Sequence, residues 1–71
     1  MSVKNEQVMG KVLKAIANKR RLGILSYLKV HHQASVSEIA RHLKLSLRST
    51  SRHLAVMSSA EVVEKDQRGL F

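Results

Sequence analysis

Cysteine and proline are both absent from this chain of 71 residues. Without cysteine there is no disulfide, no thiolate metal site and no cysteine nucleophile, which fits a reducing compartment. With no proline, no internal repeat and no low-complexity stretch there is no linker, so residues 1–71 read as one domain. The 3 glycines are too few for a phosphate-cradling loop. Carboxylates are scarce, and Glu6, Glu38, Glu61, Glu64 and Asp66 form no pair suited to a catalytic pocket. Ser49 and His53 share a helical region but lack a positioned third group. Enzymatic activity is therefore not expected, and no cofactor is. A zinc site from His31 and His32 with His42 or His53 lacks any nearby acidic or thiolate ligand, so no metal site is expected either. The start of the chain has no long apolar h-region, and no apolar run approaches the roughly 20 residues that span a bilayer. A cytoplasmic protein with no membrane contact is the expectation.

What is abundant is positive charge. There are 13 Lys+Arg against 5 Asp+Glu, a formal net charge of +8. Such a balance favours polyanions, nucleic acid before an anionic membrane surface, although a merely solvated basic surface also fits. A domain this small has a thin stability margin and gains from a partner.

Hydrophobic spacing predicts a mainly α fold. A first helix is expected over 5–17, with Met9, Val12, Leu13 and Ile16 as its stripe and Val3, Val8 and Ala15 beside it. That extra apolar width suits either core or contact with a second chain. Asn18 caps a second helix over 18–29, burying Leu22, Leu25 and Leu28, with Gly23 placed to permit close helix packing. Val36 is read as a short strand residue and Ser37 as the cap of a supporting helix over 37–44, with Ile39, Ala40 and Leu43 inward and Arg41, His42 and Lys44 outward. Leu45 plugs a turn, and Ser46 caps a further helix over 46–60. There Leu47, Thr50, Leu54 and Met57 gather on one side and Arg48, Arg52, Ala55 and Ser59 on the other. No acidic residue lies between Glu38 and Glu61. The tail 62–71 reads as a strand, Val62 and Val63, entering a turn with Gly69 at positive φ. Leu70 and Phe71 are too few for a returning strand, so the expectation is a fragment of a longer chain, a frayed end, or an end paired elsewhere.

Three patches resemble the ArsR-type winged helix-turn-helix regulators. Ala17-Asn18-Lys19-Arg20-Arg21-Leu22-Gly23-Ile24-Leu25 looks like that family's second helix opening. Ser35-Val36-Ser37-Glu38-Ile39-Ala40 looks like the start of its supporting helix. Leu43-Lys44-Leu45-Ser46-Leu47-Arg48-Ser49-Thr50-Ser51-Arg52-His53-Leu54 is similar to the segment bearing its recognition helix. Ala60-Glu61-Val62-Val63 and Gly69 resemble the approach to the wing and its tip. The likeness implies a winged helix-turn-helix domain of four to five helices with a short, truncated β-wing. Lys44 and Glu61 stand where the family usually has glycine, so Lys44 would need a left-handed backbone. The family's C-terminal dimerisation helix is missing, and the residues of its metal-sensing members are not matched.

The function these observations imply is sequence-specific binding of double-stranded DNA by a transcriptional regulator, a repressor by default, with the helix over 46–60 in the major groove. Arg48 and Arg52 lie one turn apart, one suited to guanine and the other to phosphate, although a solvated face has the same composition. Ser46, Ser49 and Ser51 are short donors for phosphates or base edges. Lys44 and Arg41 would sit by the DNA backbone and Arg68 in an adjacent minor groove. His53 reads first as a packed or backbone-bonded histidine and second as a base contact. The resemblance implies an internal ion pair for Arg21, with Glu64 and Asp66 as the nearest carboxylates. A homodimer is expected, with Val3, Val8 and Ala15 at its interface. The alternative is a winged-helix protein interaction or dimerisation module without specific DNA binding.

Overall fold

The computed structural model describes residues 5–71, and its order is α1 (Asn5–Ile16), α2 (Lys19–His31), α3 (Val36–Leu43) and α4 (Leu47–Ser59). Each boundary has a local cause. Asn18 stops α1 and starts α2: its side chain accepts from the backbone N–H of Arg20 at 2.9 Å and of Arg21 at 3.3 Å. α2 runs two residues beyond the expected Lys29, because nothing breaks it before His32 turns to φ 66°. Ser35, not Ser37, caps α3. The sequence Ser-x-x-Glu closes a capping box, with the Ser35 N–H donating to Glu38 Oε1 at 2.9 Å and the Glu38 N–H to Ser35 Oγ at 3.1 Å. Val36 is accordingly the first helical residue rather than a strand.

The core sits where α2, α3 and α4 meet. Ile24, Ala34, Ile39, Leu54, Met57 and Val63 are buried together, with Leu25, Leu28, Leu43 and Phe71 packed on them. The buried centre of α2 is Ile24, while Leu22 stays 48% exposed. Gly23 lets α2 approach α3 closely, since a Cβ there would stand 3.2 Å from Leu43 Cδ2. Thr50 is fully buried, and its hydroxyl is satisfied by donating to the Ser46 carbonyl at 2.9 Å.

α1 packs on α2 and α4 but contributes little to this core. Ala15 is its buried residue, so it cannot serve an exposed dimer surface as expected; its small side chain is what lets α1 approach. Met9 and Leu13, two residues of the expected stripe, are exposed, as is Val8. Val3, also assigned to a dimer surface, lies outside the described residues.

The expected wing strands do not form among the described residues. Glu61, at φ 60°, turns the chain out of α4, and Val62 and Val63 go to the core instead of pairing along a strand. The tail still pairs once. Phe71 exchanges both backbone hydrogen bonds with Ala34, at 2.9 and 3.0 Å, the repeating unit of an antiparallel ladder. Before it, Asp66 organises a turn by accepting from the N–H groups of Arg68 and Leu70, with Gly69 at φ 84°.

Candidate nucleic-acid interface

α3 and α4 form a helix-turn-helix joined by Lys44, Leu45 and Ser46. Lys44 takes the left-handed conformation, φ 57° and ψ 44°, as its place in the turn demanded. The N–H of Leu45 then reaches back to the Ala40 carbonyl at 2.9 Å, closing the end of α3. Ser46 starts α4, its Oγ accepting from the Ser49 N–H at 3.0 Å. That hydroxyl is thereby committed to the cap, although the side chain is on the surface. The first turn of α4 contains no acidic residue, so the partial positive charge of its free amides is not neutralised locally.

Thr50, Leu54 and Met57 anchor α4 in the core. They fix the opposite side, Arg48, Arg52, Ala55 and Ser59, toward solvent, and all four are exposed. Leu47, expected on the buried side, is 55% exposed because it precedes the first full turn. Ser51 is exposed and Ser49 half-buried, while Arg41 and Lys44 are exposed on the supporting side. Among the described residues the one salt bridge joins Arg68 to Asp66 at 2.9 Å, so Lys44, Arg48 and Arg52 carry their charge without a carboxylate partner, while the Arg41 charge helps to hold the Glu38 carboxyl low.

Two expected contacts are otherwise engaged. Arg68 donates to Asp66 Oδ2 and, from Nη2, to Gln33 Oε1 at 3.0 Å, which ties the tail turn to the α2–α3 connection. The Leu70 N–H, followed by the Arg68 side chain, holds the Asp66 carboxyl below the usual carboxylate range. His53 is half-buried and accepts at Nδ1 from Arg21 Nε, 3.1 Å away. Its imidazole is therefore the Nε2–H tautomer, and only that edge is left to meet a ligand. Burial first, and the Arg21 charge second, push its pKa below the ordinary value. The partner of Arg21 is thus a histidine and the Ala15 carbonyl, 3.4 Å from Nη1, rather than Glu64 or Asp66. Sequence reasoning missed this pairing because residues 21 and 53 share no local pattern. Tyr27 was likewise not foreseen as the stacking platform for His31, with centroids 4.2 Å apart, and for His42 at 4.6 Å.

A supporting helix, a left-handed turn and an exposed basic helix together define a DNA-binding helix-turn-helix regulator. Residues 16–66 match the helix-turn-helix domain family, and the chain belongs to that family. Over 63 residues it is 36% identical to the transcriptional repressor SdpR of Bacillus subtilis (strain 168), an alignment covering 89% of this chain and 69% of that protein. No solved structure matches it. Among the described residues no helix is long and apolar enough to cross a membrane.

Proposed function

We propose that the chain is a sequence-specific transcriptional regulator of the ArsR type that acts as a repressor by occluding a promoter, as the name of its Bacillus relative suggests. The observation that carries this reading is the outward side of α4, where Arg48 and Arg52 stand exposed and without a carboxylate partner. With α4 in the major groove, one of them reads guanine O6 and N7 while the other holds phosphate. Ser49 and Ser51 add short polar contacts, the amides around Ser46 face phosphate, and Lys44 and Arg41 track the DNA backbone. His53 offers Nε2 at the edge of the groove. Arg68 reaches DNA only by leaving Asp66 and Gln33, so its contribution is the weakest of the set.

The protein acts as a homodimer in this reading, supported by the outward apolar residues of α1, Val8, Met9 and Leu13. Two such units address half-sites about 34–36 Å apart. The same apolar residues favour a second reading, a protein interaction module. Selection of bound sequences from random duplexes separates the two. A dyad-symmetric motif whose affinity falls steeply with salt is expected. Failure of any motif to enrich at moderate salt, from a dimeric sample, overturns the regulator reading.

A further inference from the structure

A cleft of about 570 Å³ runs between α1 and the C-terminal half of α4, away from the turn that joins α3 to α4. Its volume lies in the range of small-molecule sites, about 300–1,000 Å³. The floor is apolar, made by Ala15, Ala55 and Val56, and the rim is cationic, made by Lys11, Lys14 and Arg21. No carboxylate lines it. Arg21 spends Nε on His53 and Nη1 on the Ala15 carbonyl, and among the described residues its Nη2 has no hydrogen-bond partner. At the other end a smaller recess of about 220 Å³ continues past Lys11 and Ala60 to Val8 and Glu61.

We infer that this cleft binds a small amphiphilic monoanion, an alkyl carboxylate with its head between Lys14 and Arg21 and its chain along Ala15, Ala55 and Val56 toward Val8. The charge pattern sets the class. Cations surround one end, so a carboxylate head is favoured there, and Glu61 at the far end repels a second negative group. From Ala15 to Val8 the helix rises about 10 Å, which an alkyl chain of roughly eight carbons spans. The cationic end of the site also lies apart from Leu13 in the outward stripe of α1, while Val8 borders both. At 100° per residue Lys11 and Leu13 point about 160° apart, so a partner on Leu13 leaves the cleft open.

Octanoate is the probe, with octanol and acetate as its separated halves, each titrated by calorimetry into the full chain. Octanoate is expected to bind at least about tenfold more tightly than either half. Lys14→Glu, at an exposed position, is expected to weaken it by a similar factor, while Lys29→Glu, elsewhere on the basic surface, leaves it unchanged. Bound carboxylate offsets the Arg21 charge, so the His53 imidazole followed by NMR is expected to titrate at higher pH when octanoate is saturating. Octanol or acetate binding as well as octanoate, Lys29→Glu matching Lys14→Glu, or a His53 titration unmoved by octanoate would each overturn the assignment. The inference does not depend on the DNA-binding reading: Arg48→Ala with Arg52→Ala is expected to weaken duplex binding and leave octanoate binding intact.

Discussion

α1 and α4 are amphipathic helices of nearly equal length, 12 and 13 residues, and they use their apolar sides in opposite ways. α4 turns Thr50, Leu54 and Met57 into the molecule, each fully buried, and shows solvent a basic face. α1 buries Ala15 and shows solvent Val8 at 60% and Leu13 at 57% exposure. Helical spacing announces that a face is apolar. It does not announce whether that face meets the same chain or another one. In a domain this small the core is filled by three helices, and the fourth keeps its larger side chains for something outside.

The most severe test of this contrast compares one leucine from each helix. Leu54→Ala removes a fully buried side chain from the meeting point of three helices and is expected to cost about 2–5 kcal/mol, enough to unfold much of the population. Leu13→Ala is expected to change the stability of the monomer by no more than about 0.5 kcal/mol, read from urea unfolding at low concentration. Its effect should instead appear as weaker self-association in sedimentation equilibrium. Equal destabilisation by the two would mean that α1 is core after all.

A second test asks whether the solvent side of α4 works as the buried side of α1 does not. Replacing Arg48 and Arg52 together by alanine is expected to lower duplex affinity by roughly 10- to 100-fold or more, since a bidentate base contact contributes about 1–3 kcal/mol. Circular dichroism should be unchanged, because both side chains are exposed and unpaired. The salt dependence of the remaining binding should be shallower. Unaltered affinity would move recognition away from α4.

The helix-turn-helix was legible in the sequence because its signals are local. Ser46 as a cap and Ile39, Ala40, Leu54 and Met57 as inward positions follow from spacing within a few residues, while the left-handed turn at Lys44 follows from the family resemblance, which has glycine there. Ser37 is the expected cap of α3, whereas the Ser-x-x-Glu beginning at Ser35 is the local signal that marks the true one. What spacing does not carry is which apolar face closes on which. Spacing marks the stripe of α1 as apolar without saying that Met9 and Leu13 face outward, and it does not single out Ile24 over Leu22 as the buried centre of α2. The tail failed for a related reason. Val62 and Val63 have strand-forming side chains, but a strand needs a neighbour, and the backbone partner available to the tail is Ala34, far away in sequence.

Smaller effects belong to the ends of α3, the helix that holds α4 in place. Ser35→Ala removes the acceptor for the Glu38 N–H and is expected to cost about 1 kcal/mol. Lys44→Gly is expected to stabilise by about 0.5 kcal/mol, because glycine takes φ 57° without the clash of a Cβ. The same glycine deletes a charge beside the proposed DNA path, so urea midpoint and duplex affinity should move in opposite directions. Both moving together would mean that Lys44 does not face DNA.

The smallest expected effect concerns the side-chain hydrogen bond from Arg21 to His53, which ties α2 to the exposed helix. His53 must be neutral at Nδ1 to accept from Arg21, and burial together with that guanidinium holds its folded pKa below the ordinary value of 6.5. The unfolded chain therefore binds a proton at His53 more readily than the folded chain does. Stability from this group is complete above about pH 6.5, declines as pH falls through that value, and levels off below the folded pKa. Glu38 and Asp66, both held low, contribute their own loss only in the more acidic carboxylate range, so the two windows separate. His53→Gln keeps an acceptor for Arg21 and removes the titration. Thermal midpoints measured at pH 7.5 and pH 5.5 should therefore lie closer together in this variant than in the parent. Equal gaps in the two proteins would show that protonating His53 costs the fold nothing. The link from α2 to α4 would then be packing alone.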